Sequence, residues 1–168
     1  MEHTMGKHES KGNVQDHKMN GKPYARMAAM FVFSFISMYV LMYAMVDRLE
    51  NVISNPNQFY MAGLMAAPMV AIELILMSSM YPKKKLNALL MAVSVLAMAA
   101  FFLFIRVQVA IDDKDFLRSM IPHHAGAVLM CEEASLEDPE VQDLCRKIIE
   151  SQQREIDQMK AILERLGE

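Results

Sequence analysis

The stretch MAAMFVFSFISMYVLMYAMV, Met27 to Val46, runs for twenty residues without a charge. A bilayer core asks for about 20 predominantly apolar residues in a helix. A helix packed into a soluble core would keep a polar face, and this stretch has almost none. Two further runs of the same kind follow, from about Phe59 to Met80 and from about Leu86 to Ala110, the latter with Arg106 close to its end. The expected fold is all-α. It opens with three transmembrane helices, and the lipid bilayer is its first partner.

Composition narrows the function. Methionine is abundant at 18 residues, and tryptophan is absent. The two cysteines are too few for a disulfide framework. No glycine-rich phosphate loop, Gly-Xaa-Ser-Xaa-Gly elbow or Cys-Xaa-Xaa-Cys pair occurs. A non-enzymatic protein without a nucleic-acid partner is expected.

Charge sets the orientation. The link YPKKKLN, Tyr81 to Asn87, carries three lysines, whereas DRLENVISNPNQ, Asp47 to Gln58, has one basic residue against two acids. The positive-inside rule puts the lysine link in the cytoplasm. The tail of residues 1–26, with five basic residues against three acids, then lies on the same side. Residues 111–168, fourteen acids against seven bases, lie outside. No cleaved signal peptide is expected, because the leading 26 residues are polar. A bacterial inner membrane with a periplasmic C-terminal domain suits this topology. The division expected is a disordered cytoplasmic tail (1–26), a membrane domain (27–110) and a periplasmic helical domain (111–168).

In that last domain IDDKDF, Ile111 to Phe116, offers acidic N-caps. Helical spacing continues through Leu117, Met120, Ile121, Ala127, Val128 and Met130, and SLEDPE, Ser135 to Glu140, interrupts it. Asp138 and Pro139 read as a cap and a first-turn proline. Apolar residues then recur at three and four from Val141 to Leu166. Two antiparallel helices of roughly 20 to 28 residues form an αα-hairpin. Such a hairpin cannot cover both of its apolar stripes alone, so a homodimer completing a four-helix bundle is expected.

With the turn near Asp138, His124 should face Gln152, Met120 should face Glu155 and Ile156, Met159 should face Leu117, and Cys131 should face Cys145. Met120, His123, His124, Ala127 and Met130 share one broad face of the first helix, and Gln152, Glu155 and Met159 share one of the second. Two readings of this seam stand. In one, the histidines bond to Glu155 and Gln152 and the methionines fill gaps, which makes a polar seam that sets dimer register. In the other, imidazoles and thioethers hold a soft monovalent ion such as Cu(I), carboxylates suiting harder, divalent metals. Pro122 withholds an N–H from the helix ladder and should kink the helix where the histidines emerge.

FLRSMIPHHAGAVLMCEEA, Phe116 to Ala134, followed by DPEVQDLCRKIIESQQREIDQM, Asp138 to Met159, resembles the family called domain of unknown function 305. The pattern is Met-Ile-Xaa-His-His-Xaa-Xaa-Ala-Xaa-Xaa-Met, then Gln-Xaa-Xaa-Glu-Ile-Xaa-Xaa-Met, the second part carried by Gln152, Glu155, Ile156 and Met159. The likeness covers roughly the last 57 residues. It implies a ferritin-like helical bundle, associated in some members with copper or silver binding and resistance. It also implies Met120, His123, His124, Met130 and Met159 as ligands, with Glu155 beside them. The chain departs from that pattern in carrying a single hairpin, which a second chain would complete. It also departs in having Cys131 and Cys145, which can pair as a disulfide, remain small buried thiols, or serve as thiolate ligands.

Two features lie outside the hairpin. Met61, Met65, Met69, Glu73 and Met77 recur every four residues along the second run. They form either a packing face or a thioether path for a soft cation. Glu73, ionisable inside a span, is expected level with the hydroxyls of Ser34 and Ser94, with Pro68 bending the helix before it. Arg106 is expected to snorkel. The tail carries His3, Met5, His8, His17 and Met19, either a metal-capturing segment or a solvated one.

The sequence thus reads as a membrane-anchored protein binding Cu(I) or Ag(I) for sequestration, delivery or resistance, with a metal chaperone or efflux protein as a further partner. The rival readings are an interaction module and a ferritin-like metal oxidase. The latter would need Glu-Xaa-Xaa-His pairs, which are missing.

Overall fold

Side-chain caps and prolines mark where three of the helices begin. The computed structural model describes residues 21–167, so His3, Met5, His8, His17 and Met19 lie outside the described residues. Helix α1 spans Lys22–Leu41 and continues as a 3-10 turn, Met42–Met45. Helix α2 spans Pro56–Leu76. Asn55 caps it, accepting from the Gln58 N–H at 2.9 Å, with Pro56 in the first turn. Helix α3 spans Lys84–Val107. Helices α4 (Asp113–Glu133) and α5 (Pro139–Arg165) form the hairpin. Asp112 caps α4 through the Asp115 N–H, and Asp138 caps α5 through the N–H groups of Glu140 and Val141. No strand occurs among the described residues.

Helices α1, α2 and α3 are each long and apolar enough to cross a membrane. Apolar side chains such as Phe33, Ile36, Ile75, Leu96 and Leu103 point outward, as in a protein whose solvent is hydrocarbon. The bounds differ in detail from the hydropathy runs. Residues 22–26, expected in a disordered tail, are already helical. The second run stops being α-helical at Leu76, and Ser78–Met80 form a 3-10 turn. Pro68 and Pro122 are both accommodated inside continuous helices.

Small residues bring α2 against α3. Ala62, Gly63, Ala66 and Ala67 are buried, and a Cβ on Gly63 would come within 2.5 Å of the Phe101 ring. Ser94 donates to the Ala67 carbonyl at 2.6 Å, so it is not a partner of Glu73. The carboxyl of Glu73 instead accepts a hydrogen bond from Tyr81, just beyond the helix. The chain reverses there, which brings a phenol closer than the hydroxyl across the bundle. Tyr81 stacks on Tyr24 at 5.1 Å, and Asn87 ties both together.

At the other end of the spans, the loop of residues 46–55 seats the hairpin. Val46 and Ile53 pack against the core of Leu117, Ile121, Ala125, Ile156, Met159 and Leu163. Gly126 lets α4 approach the Met45 carbonyl, where a Cβ would stand 3.3 Å from the oxygen. Asn57 donates to Ser119 at 3.2 Å and exchanges a pair of amide hydrogen bonds with Gln108. Tyr60 donates to the Val109 carbonyl at 3.0 Å. Gln108 and Ala110 turn the corner between α3 and α4 with positive φ angles.

Candidate functional site

Helical geometry divides the six candidate residues into two sets. At 3.6 residues per turn, Met120 and His124 lie close together round α4, while His123 and Met130 are displaced toward solvent. His124 is buried, at 9 % exposure. Met159 is buried and Met120 half-buried in the same apolar cluster. Glu155 reaches across from α5, with its Oε2 3.1 Å from His124 Nδ1. The contact is an ion pair when the imidazole is protonated. The structure therefore brings together Met120, His124, Glu155 and Met159.

His123 and Met130 stay on the exposed face of α4. The two imidazoles are 6.2 Å apart, centre to centre, and tilted by 59°. The expected facing of His124 with Gln152 gives way to Glu155. The expected facing holds near the turn, at Cys131 and Cys145, and farther from it Leu117, Met120, Ile156 and Met159 meet in one apolar cluster.

Burial is the larger influence on the His124 imidazole and pushes its pKa below the ordinary histidine value. The Glu155 carboxylate opposes this, and His123 adds to the lowering. A neutral imidazole with a lone pair, two thioethers nearby and a carboxylate together make a donor set suited to a soft ion. Among the described residues no three His, Cys, Asp or Glu side chains gather as a possible metal site.

Cys131 and Cys145 form a disulfide, with 5.3 Å between Cα atoms, that joins the two helices near their turn. This is the first of the three sequence readings, and it excludes free thiolate ligands in the state seen here. Along α2, Met61, Met65 and Met77 are exposed, while Met69 and Glu73 are half-buried. The Met stripe is thus not an interior packing face of the single chain.

The arrangement defines an all-helical protein in which a disulfide-closed hairpin is seated on three candidate membrane spans. The chain belongs to the family described as Domain of unknown function (DUF305), whose model matches residues 71–163. That match reaches back beyond the hairpin, through α3 and into the end of α2. The chain is also similar to an uncharacterized protein, L153, of Acanthamoeba polyphaga mimivirus. The two are 33% identical over 138 residues, which is 80% of this chain and 89% of that protein. No solved structure matches.

Proposed function

We propose that the chain is a membrane-anchored binder of Cu(I) or Ag(I), serving sequestration, delivery or resistance rather than catalysis. The observation that carries this reading is the buried His124 imidazole in contact with the Glu155 carboxylate, with Met120 and Met159 one turn away on the same two helices. His123 and Met130 extend the donor set onto the exposed face. Phe116 on the same helix, and Val141 and Leu144 on α5, are exposed as well. A second copy laid against that face would complete a ferritin-like four-helix bundle and bring a second set of His and Met ligands close. The lysine link favours a cytoplasmic placement for residues 81–87 and a periplasmic one for the hairpin, in a bacterial inner membrane. A metal chaperone or efflux protein is the partner such a role requires.

The test is competition between the detergent-solubilised full chain and a chromophoric Cu(I) chelator, comparing wild type with a variant combining M120L, H124L and M159L. Tight binding lost in the variant is the expected result. Equal binding in both proteins overturns the proposal. The His124–Glu155 contact across the hairpin also favours a register-setting polar seam. In that case the variant changes the oligomeric state, and added metal alters neither protein.

A further inference from the structure

The loop that seats the hairpin on the spans carries a polar pair that apolar packing does not explain. Asp47 opens the loop just after Val46, and the 3-10 turn Leu49–Asn51 brings Asn51 back beside it. Both are inside the protein, the Asp47 side chain 3% exposed and Asn51 2% exposed. Asp47 Oδ1 accepts from the Arg48 backbone N–H and from the Asn51 amide, each at 2.7 Å. Asp47 Oδ2 and Asn51 Oδ1, the remaining oxygens of the same two groups, are buried and accept no hydrogen bond.

Two acceptors on neighbouring groups, neither with a donor, make a negative spot lined by oxygen. A buried carboxylate is ordinarily paired or coordinates a metal. Arg48 Nε lies 3.9 Å from Asp47 Oδ2, outside hydrogen-bond reach, and its side chain is 63% exposed. A pair so placed contributes little. Glu50 on the same turn adds a second negative charge, 78% exposed, with Lys160 4.0 Å away. Carboxylate and amide oxygens are the ligands of hard cations. Calcium takes them in irregular loop geometry, whereas magnesium holds on to a water shell for which a buried site has little room. The pair offers no thioether or imidazole, so it suits a different ion from the His124 seam.

We propose that Asp47 Oδ2 and Asn51 Oδ1 are ligands of a calcium ion that locks this loop beneath the hairpin, with backbone carbonyls and water completing its shell. The loop packs on the hairpin core through Val46 and Ile53, so the ion stiffens the junction between the spans and the hairpin. The site does not depend on a soft ion being held at the His124 seam.

The experiment follows melting and hydrogen exchange of the detergent-solubilised full chain, stripped with EGTA and titrated with Ca2+ at constant ionic strength. The melting temperature should rise and exchange at residues 46–55 should slow, with a half-point of about 0.1–1 mM, the range of weak extracellular calcium sites. D47N should abolish the response. N51D should move the half-point to lower calcium, because a second carboxylate adds charge to the ligand set, a gain that misfolding does not mimic. A wild-type protein indifferent to Ca2+ would overturn the proposal, the two oxygens then being satisfied by water or by Arg48. Equal responses in wild type and D47N, or to Mg2+ and Ca2+, would overturn it too, since the ion would then act through surface charge.

Discussion

At His124 burial and a neighbouring carboxylate act in opposite directions, and burial prevails. The folded chain favours the neutral imidazole, whereas an unfolded chain protonates it at the ordinary value of 6.5. Its folded pKa is depressed, so its contribution to stability is present above that ordinary value and is lost as pH falls below it. Melting of the metal-free protein in detergent should therefore shift downward between about pH 7.5 and about pH 5.5, across the histidine range. H124Q should remove that part of the shift. E155Q, which deletes the one influence raising the pKa, should move the folded value still lower and deepen the acid loss. A melting temperature with the same pH dependence in wild type and H124Q would contradict this account of the site.

At the scale of elements, the hairpin is held by two unlike devices. Apolar packing from Leu117 to Leu163 secures the end near the spans, while the far end leaves Met130, Val141 and Leu144 exposed and relies on the disulfide. Closing a loop with a sequence separation of 14 stabilises by about 3 kcal/mol in the chain-entropy view. Reduction, or the C131A/C145A pair, should lower the melting temperature of the hairpin and raise hydrogen exchange at the α5 start more than at Ile156. Uniform exchange along the hairpin would count against that division. The elements themselves were legible in the sequence. Unbroken apolarity marked the spans, and Asp112, Asp138 and Pro139 marked the hairpin ends. Facing positions were legible at Cys131 and Cys145, close to the turn. The partner of His124 was not, because the reach of a side chain such as Glu155 leaves no mark in residue spacing. Nor was the Tyr81 partner of Glu73, which depends on where the chain reverses after α2.

Across the whole molecule, the hairpin and the spans share a core through the loop of residues 46–55. Val46 and Ile53 pack on α4 and α5, and Lys160 lies 4.0 Å from Glu50. I53S should weaken the hairpin by about 1–2 kcal/mol, the worth of a partly buried aliphatic group. Exchange at α4 should register this although the substitution lies in another element. Unchanged α4 protection would mean the loop only touches the hairpin. The family match, which begins at residue 71 and runs through α3 into both hairpin helices, does not include this loop. A hairpin severed at Ile111 would lose the apolar cover that residues 46–53 supply on the face toward the bilayer. It would hold two sticky faces where the intact chain offers one. Self-association of such a fragment in solution would then report the missing loop, and the stoichiometry of the native protein is to be read only from the chain with its own saddle in place.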